Sequence, residues 1–271
     1  MGRRMTLAEL SYKLVIGSLA GIAIAILIGP ILVVLITSLT TAPSLRFPPP
    51  GLSFKWYEAL FDPVGSRQLH VAASNTLLVA VSATTIVSML GVAAAVGLAG
   101  KRGAWAKALE NGFLGPLVLP TLAYGFAALM FFSLLGFRPS LPLLVIGHAV
   151  VIAPFVFRTT LASLTQLDPS LLESSAGLGA GRFTTFRRIT LPLIAPGIAA
   201  GAFLSFIASI DNVPVSLFLS NARTDMLPIR MWGMMESRLD VRVAAASGVL
   251  IASVIVLMVV MERLVGLSRR I

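Results

Sequence analysis

Residues Gln166–Pro192 read QLDPSLLESSAGLGAGRFTTFRRITLP, a polar and basic interruption between two long apolar runs. Ser170 and Glu173 stand at capping-box spacing, and Pro169 suits a helix start, where its missing N–H would be unpaired anyway. Gly179 or Gly181 can take the positive φ that ends a helix and turns the chain. A second, basic helix follows. It carries Arg182, Arg187 and Arg188 to a membrane surface, with Phe183 and Phe186 three apart on one face. The expected structure is a short helix, a sharp turn and a second helix continuous with a membrane span. Such an L-shaped knob can carry force from a partner into that span.

The flanking runs, Leu141–Leu161 and Leu191–Leu219, meet the requirement of about 20 apolar residues for crossing a bilayer. Moving outward, four more runs qualify: Leu14–Thr37, Val71–Gly100, Gly112–Leu135 and Val243–Val265. The predicted class is all-α, a polytopic membrane protein with about six transmembrane helices in one domain over residues 1–271. The knob occupies about 163–190. The second and fifth runs exceed the bilayer and are expected to tilt or protrude. Prolines at 116 and 120 interrupt the third run, and Pro192, Pro196 and Pro214 the fifth. Such breaks mark either a gate or static kinks. The first run is too long for a cleaved leader and is expected to be a retained helix.

Composition agrees. The chain is 57% hydrophobic with a mean hydropathy of +0.94, and 12% of residues are charged, about half the soluble norm. The formal net charge of +10 sits in the short segments between spans, which favours anionic lipid and membrane orientation over nucleic acid. With the N-terminus inside, inner segments hold Arg3, Arg4, Lys13, Lys101, Arg102, Lys107, Arg158, Arg182, Arg187, Arg188, Arg263, Arg269 and Arg270. That is 13 of the 21 basic residues, against 8 outside, so both termini are expected in the cytoplasm. Of the outer segments, Ser38–His70 contains Phe47-Pro48-Pro49-Pro50-Gly51, which excludes regular helix. Trp56 and Tyr57 then suit a short interfacial helix.

Glu173-Ser174-Ser175, then Gly179, then Ile189-Thr190-Leu191-Pro192 form one ordered string. It resembles the cytoplasmic "EAA" loop of binding-protein-dependent ABC importer permeases, with serine in place of both alanines. Phe54-Lys55-Trp56-Tyr57, Ser74-Asn75-Thr76, Ala153-Pro154-Phe155, Asp211 and Leu227-Pro228 extend the likeness to the spermidine/putrescine-type branch. The resemblance implies a type I importer (MetI-like) permease fold in the bacterial inner membrane. It makes Glu173, Ser174, Ser175, Leu178, Gly179, Ala180 and Arg182 the part that couples to a cytoplasmic ATPase. The implied partners are an ABC ATPase dimer holding ATP and Mg2+, a second permease subunit, often a related but different chain, and a periplasmic or lipid-anchored binding protein. Membrane lipid surrounds the chain, and nucleic acid has no part. The implied cargo is a polyamine or similar amine-bearing solute. Amino acids, aminophosphonates, thiamine and ferric iron are the cargoes of related permeases.

No phosphate-loop signature, Gly-x-x-x-x-Gly-Lys-Ser/Thr, occurs in the chain, so ATP is expected on another subunit. A stand-alone secondary transporter would need several intramembrane carboxylates, and Asp211 is the one acid expected well inside a span. Asp211, with Asn212, Ser209 and Pro214, either lines the translocation path or pairs locally and shapes the break before Pro214. His148 is expected to be a hydrogen-bonded packing residue, and His70 a solvated one. Two isolated histidines without cysteine make no metal site. The only motif hinting at covalent chemistry, Ser247-Gly248 with His148 as a distant base, reads as close helix packing.

Overall fold

The computed structural model describes residues 7–101 and 103–265, so Arg3, Arg4, Arg102, Arg269 and Arg270 lie outside the described residues. Among the described residues every regular element is helical, apart from an isolated antiparallel bridge between Thr40 and Leu52. The helices are α1 (Leu7–Ser38), α2 (Lys55–Phe61), α3 (Arg67–Leu98), α4 (Ala104–Leu114), α5 (Thr121–Leu134) and α6 (Leu141–Thr165). They continue with α7 (Pro169–Gly177), α8 (Arg182–Thr185), α9 (Leu191–Ile210), α10 (Val213–Leu219), α11 (Leu227–Arg238) and α12 (Arg242–Val265). Five stretches are long and apolar enough to cross a membrane: Ser11–Ser38, Arg67–Leu98, Leu141–Thr165, Arg182–Ile210 and Arg242–Arg263. Four of them match the expected first, second, fourth and sixth spans to within a few residues.

The third and fifth spans differ from expectation. Gly112–Leu135 is not one helix. The stretch Ala104–Leu117 and α5 meet at 105°, and only as a bent pair do they make a sixth span. Pro116 and Pro120 lack the N–H that a continuous helix would use, so the ladder fails between them. The fifth run stops at Ile210 instead of reaching Leu219 unbroken. Asn212 Oδ1 accepts the Val215 N–H at 3.2 Å, and Pro214 fits a first turn, so a new helix, α10, starts there. The surplus length is thus taken up by a break. At its other end the span gains α8 and a π turn, Phe186–Thr190, which make it continuous from Arg182. Pro192 explains the π turn: without an N–H it cannot bond Arg188, and the Leu191 N–H instead reaches back to Phe186 O.

The chain divides into two compact units, Met1–Ser66 with Met234–Ser253, and Arg67–Gly233 with Val254–Ile271. In the second, α3, α6 and α9 pack on one another through small residues. Ala72, Ala80, Ala83 and Ala95 of α3 are fully buried, as are Ile152, Val156 and Phe157 of α6. Lipid gives no hydrophobic drive for helix association, so close backbone approach must supply the contact energy. Gly201 of α9 shows how close: a Cβ there would lie 2.7 Å from Val156 Cα. The short α10 packs against α5 and α6, with Val215 and Leu219 in a buried cluster with Val79, Ala128, Leu144 and Met226.

In the first unit, α1 is apolar on every face, and none of its most apolar window is buried. A helix apolar all round has the composition of a membrane span. After it, the proline-rich loop is non-helical and folds back on itself, with Thr41 N donating to Gly51 O at 3.0 Å. The expected interfacial helix is α2. Trp56 Nε1 donates to Ala42 O at 3.2 Å, and the Tyr57 hydroxyl pairs with Ser38 Oγ at 2.8 Å.

Candidate functional site

The knob forms as a hinge with fixed corners. Asp168 caps α7: its Oδ1 accepts the Ser170 N–H at 2.9 Å, with Pro169 in the first turn. This corrects the expected capping box. The helix begins one residue before Ser170, which is already helical, so Ser170 and Glu173 do not form the reciprocal pair. Acceptance from the Ser170 N–H holds the Asp168 carboxyl below the usual range, because the bond favours the ionised form.

The other end of α7 closes as a Schellman motif. Gly179 N donates to Ala176 O at 2.9 Å and Ala180 N to Ser175 O at 3.1 Å. The motif needs a left-handed residue after the cap, and Gly179 supplies it with φ +77°. Of the two candidate glycines, Gly181 has an ordinary φ of −66° and precedes α8. Glu173, Ser174, Leu178 and Arg182 are exposed, and Leu178 is 88% exposed for an apolar side chain. Ser175 differs from them. It is buried, and its hydroxyl pairs with Thr185 Oγ1 of α8 at 2.8 Å. One edge of α7 therefore faces outward with apolar and acidic groups. The other edge is tied to the helix that continues, through the π turn, into α9.

The break after α9 is the second feature. Asp211 ends the α9 helix instead of lying within a continuous one. Its side chain is exposed, and among the described residues nothing hydrogen-bonds or ion-pairs with its carboxylate. The local pairing considered from the sequence is instead made by Asn212, which is buried and caps α10. Ser209 is fully buried, and its Oγ lies 2.9 Å from Nδ1 of His148. The other ring nitrogen, Nε2, lies 3.2 Å from Ser216 Oγ of α10. His148 is thus the expected hydrogen-bonded packing residue, but one that joins three elements. Pro214 stands in the first turn of α10, and its carbonyl oxygen lies 2.8 Å from where a Cβ on Gly125 of α5 would be. Gly147 leaves room for Val215 and Leu219, and its carbonyl accepts the Tyr124 hydroxyl at 3.3 Å.

Of the four residues expected on a path, Asp211 alone turns a charged group outward. Ser209 and Asn212 hold the break together. A cleft of about 320 Å³ between α6 and α9, near the start of α7, is lined by Leu167, Leu193 and Pro196, with Ser163 and Gln166 as its polar groups. It presents no carboxylate. Sequence reasoning missed Asp168, Thr185 and Ser216. The Asp-Pro pair opening α7 is a recognisable cap signal. The other two become visible only once their partners are placed.

A family model described as "Binding-protein-dependent transport system inner membrane component" matches residues 71–270. The spermidine/putrescine transport system permease protein PotC of Escherichia coli (strain K12) is 31% identical over 210 residues, 77% of this chain and 78% of its own length. The putrescine transport system permease protein PotI of the same strain is 28% identical over 217 residues, 75% of this chain and 74% of its own. Among solved structures, a bacterial ABC transporter involved in the import of the acidic polysaccharide alginate superposes with a TM-score of 0.69. It covers 97% of this chain and 96% of its own at 20% identity, a likeness of fold. The family model takes in both the α7 knob and the break at Asp211, and with the relatives' coverage it makes this chain a multi-pass, non-catalytic member of the binding-protein-dependent transport system inner membrane components.

Proposed function

We propose that this chain is the membrane permease of an ATP-driven importer for a polyamine or similar small amine-bearing solute. The observation that carries the substrate class is Asp211, an exposed and unpaired carboxylate at a helix break, in a chain 31% identical to a spermidine/putrescine permease. A protonated amine passing Asp211 gains an ion pair worth about 1 kcal/mol in water at 4 Å and about 4 at the lower dielectric of a protein surface. Asn212, Ser209 and Pro214 act with it by shaping the break.

In this reading both termini are cytoplasmic, α7 faces the cytoplasm, and residues 1–271 act as one permease domain. A separate ATPase dimer binds ATP and Mg2+ and docks on the exposed edge of α7 at Glu173, Ser174, Leu178 and Ala180, beside Arg182. Closure of the ATPases presses on α7. The Schellman turn and the Ser175–Thr185 pair pass that displacement to the helix continuous from Arg182 to Ile210, and so to the break. A second permease, related but different, completes the pathway, and a periplasmic or lipid-anchored binding protein delivers the solute.

The test is ATP-dependent uptake by the assembled importer in proteoliposomes with labelled spermidine and putrescine. Amino acids, thiamine and ferric iron serve as competitors. Uptake of a polyamine whose KM rises about tenfold or more in Asp211→Asn supports the reading. Saturable uptake of a competitor with no polyamine transport refutes the substrate class, and an unchanged KM in Asp211→Asn refutes the role of Asp211.

A further inference from the structure

A helix broken inside a bundle leaves carbonyls at one end and N–H groups at the other without helical partners, and it gives the chain a hinge. The break between α9 and α10 has its N–H side satisfied by Asn212. The Val213 N–H also donates to Asp211 O at 2.8 Å, but that bond and Asn212 both lie within the hinge itself, so neither ties α9 to α10 from outside. The only side chain in the described residues that hydrogen-bonds to both halves comes from a third helix. His148 of α6 is fully buried. Its Nδ1 meets Ser209 in the last turn of α9, and its Nε2 meets Ser216 in α10.

We propose that His148 is a positioning residue of the translocation path, a clasp that fixes the angle between α9 and α10 and so sets where Asp211 is presented. Imidazole is rigid, and its two nitrogens point in divergent directions at a fixed separation, so two hydroxyls bonded to it are fixed relative to each other. Each serine hydroxyl donates or accepts, so a neutral ring is satisfied in either tautomer and needs no charge within the membrane. The seat around the ring matches this role. Gly147, next to His148, lets Val215 and Leu219 of α10 approach α6, and Gly125 lets the Pro214 carbonyl approach α5. α10 is therefore referenced to α5 and α6 by contact, and to the end of α9 through His148. An apolar residue at 148 would preserve the contacts and lose the angle. The part of the proposal that concerns solute rests on Asp211 meeting the solute; the clasp itself does not.

The chain has no cysteine, so two introduced cysteines are its only labelling sites when it is labelled before assembly with the other subunits. Leu204 of α9 and Leu217 of α10 are both exposed and flank the break. In the assembled importer, labels at these positions give a narrow distance distribution with His148 present. The distribution broadens or shifts in His148→Leu and returns in His148→Gln, whose amide offers both a donor and an acceptor. Should His148→Leu fail to assemble, Ser216→Ala removes the α10 half alone and shows the same broadening to a smaller degree. Uptake then shows a KM raised about three- to tenfold in His148→Leu with the maximal rate little changed, recovered in His148→Gln. An unaltered distance distribution in both His148→Leu and Ser216→Ala overturns the clasp. An altered distribution with unchanged KM overturns its role in the path. An altered distribution and raised KM, with Asp211→Asn unaffected, leaves the clasp standing and removes Asp211 as the group it serves.

Discussion

Gly179 is the residue where backbone conformation and coupling can be separated by substitution. It holds φ +77°, and no heavy atom stands within 4 Å of the place a Cβ would take. Replacing it with alanine therefore introduces no clash, and the whole penalty is that of an L-residue in the left-handed region, about 1–2 kcal/mol. At about 1.4 kcal/mol per tenfold, the native turn loses about 5- to 30-fold in population relative to its alternatives. The apparent Kd for the ATPase subunit rises by up to that factor, since only the native turn presents α7 correctly. The assay is titration of the purified ATPase into the permease in nanodiscs. Gly179→Asn, whose side chain tolerates positive φ, loses only a few-fold. Gly181→Ala changes nothing, because Gly181 has an ordinary φ and is equally uncrowded. In the permease alone, Gly179→Leu loosens the turn no more than alanine does, by hydrogen exchange at Ala180. A role for the left-handed turn is refuted if Gly179→Ala and Gly181→Ala bind the ATPase equally well. It is also refuted if leucine is far worse than alanine before any ATPase is added.

Three further outcomes follow from the packing. Gly201→Ala drives a methyl against the α6 backbone at Val156 and should destabilise the detergent-purified chain by about 1–3 kcal/mol; Gly97→Ala, with nothing near its Cβ, is neutral or stabilising in the same melt. Ser175→Ala and Thr185→Val each remove one hydroxyl of the α7–α8 pair, and the double variant should lose no more ATPase-coupled transport than the worse single one, since both break the same bond. The Asp168 cap is present above the carboxyl's unfolded pKa and is lost as pH falls through its lower folded value. Hydrogen exchange at Ser170 should then quicken in acid beyond its intrinsic dependence, and Asp168→Asn should abolish that extra sensitivity while Asp168→Ala quickens exchange at every pH.

Apolar length was enough to locate most of the membrane helices in the sequence, because lipid leaves a long uncharged run little choice but to form one. Residues Leu141–Leu161 and Val243–Val265 correspond closely to α6 and α12 for that reason. Length was a poor guide where prolines let the ladder fail. The 105° bend at Val118–Pro120 and the break at Asp211–Asn212 both lie inside runs of unremarkable hydropathy. The turn at Gly179 was legible as a choice between two glycines, and backbone geometry made the choice. What the sequence could not disclose were pairs far apart in the chain. Ser209 and Ser216 are ordinary small polar residues until α6 brings His148 between them, and Ser175 reads as part of a docking surface in the sequence whereas its hydroxyl pairs with Thr185 in the fold.

The π turn at Phe186–Thr190 has a consequence for how such a chain can change over generations. A π turn amounts to one surplus residue in an α-helix, and each α-helical residue advances about 100° around the axis. Deleting a single residue between Phe186 and Thr190 would turn the segment back into a plain α-helical turn and leave everything before it, α7 included, facing nearly the same way relative to α9, because the surplus residue is taken up inside the wider turn. A one-codon loss in the regular helix Leu191–Ile210, by contrast, would turn the whole face of α7 by about 100°. The π turn is thus the place where this helix tolerates a change of one residue in length while α7 keeps its direction, and the regular helix after it is the place where it does not.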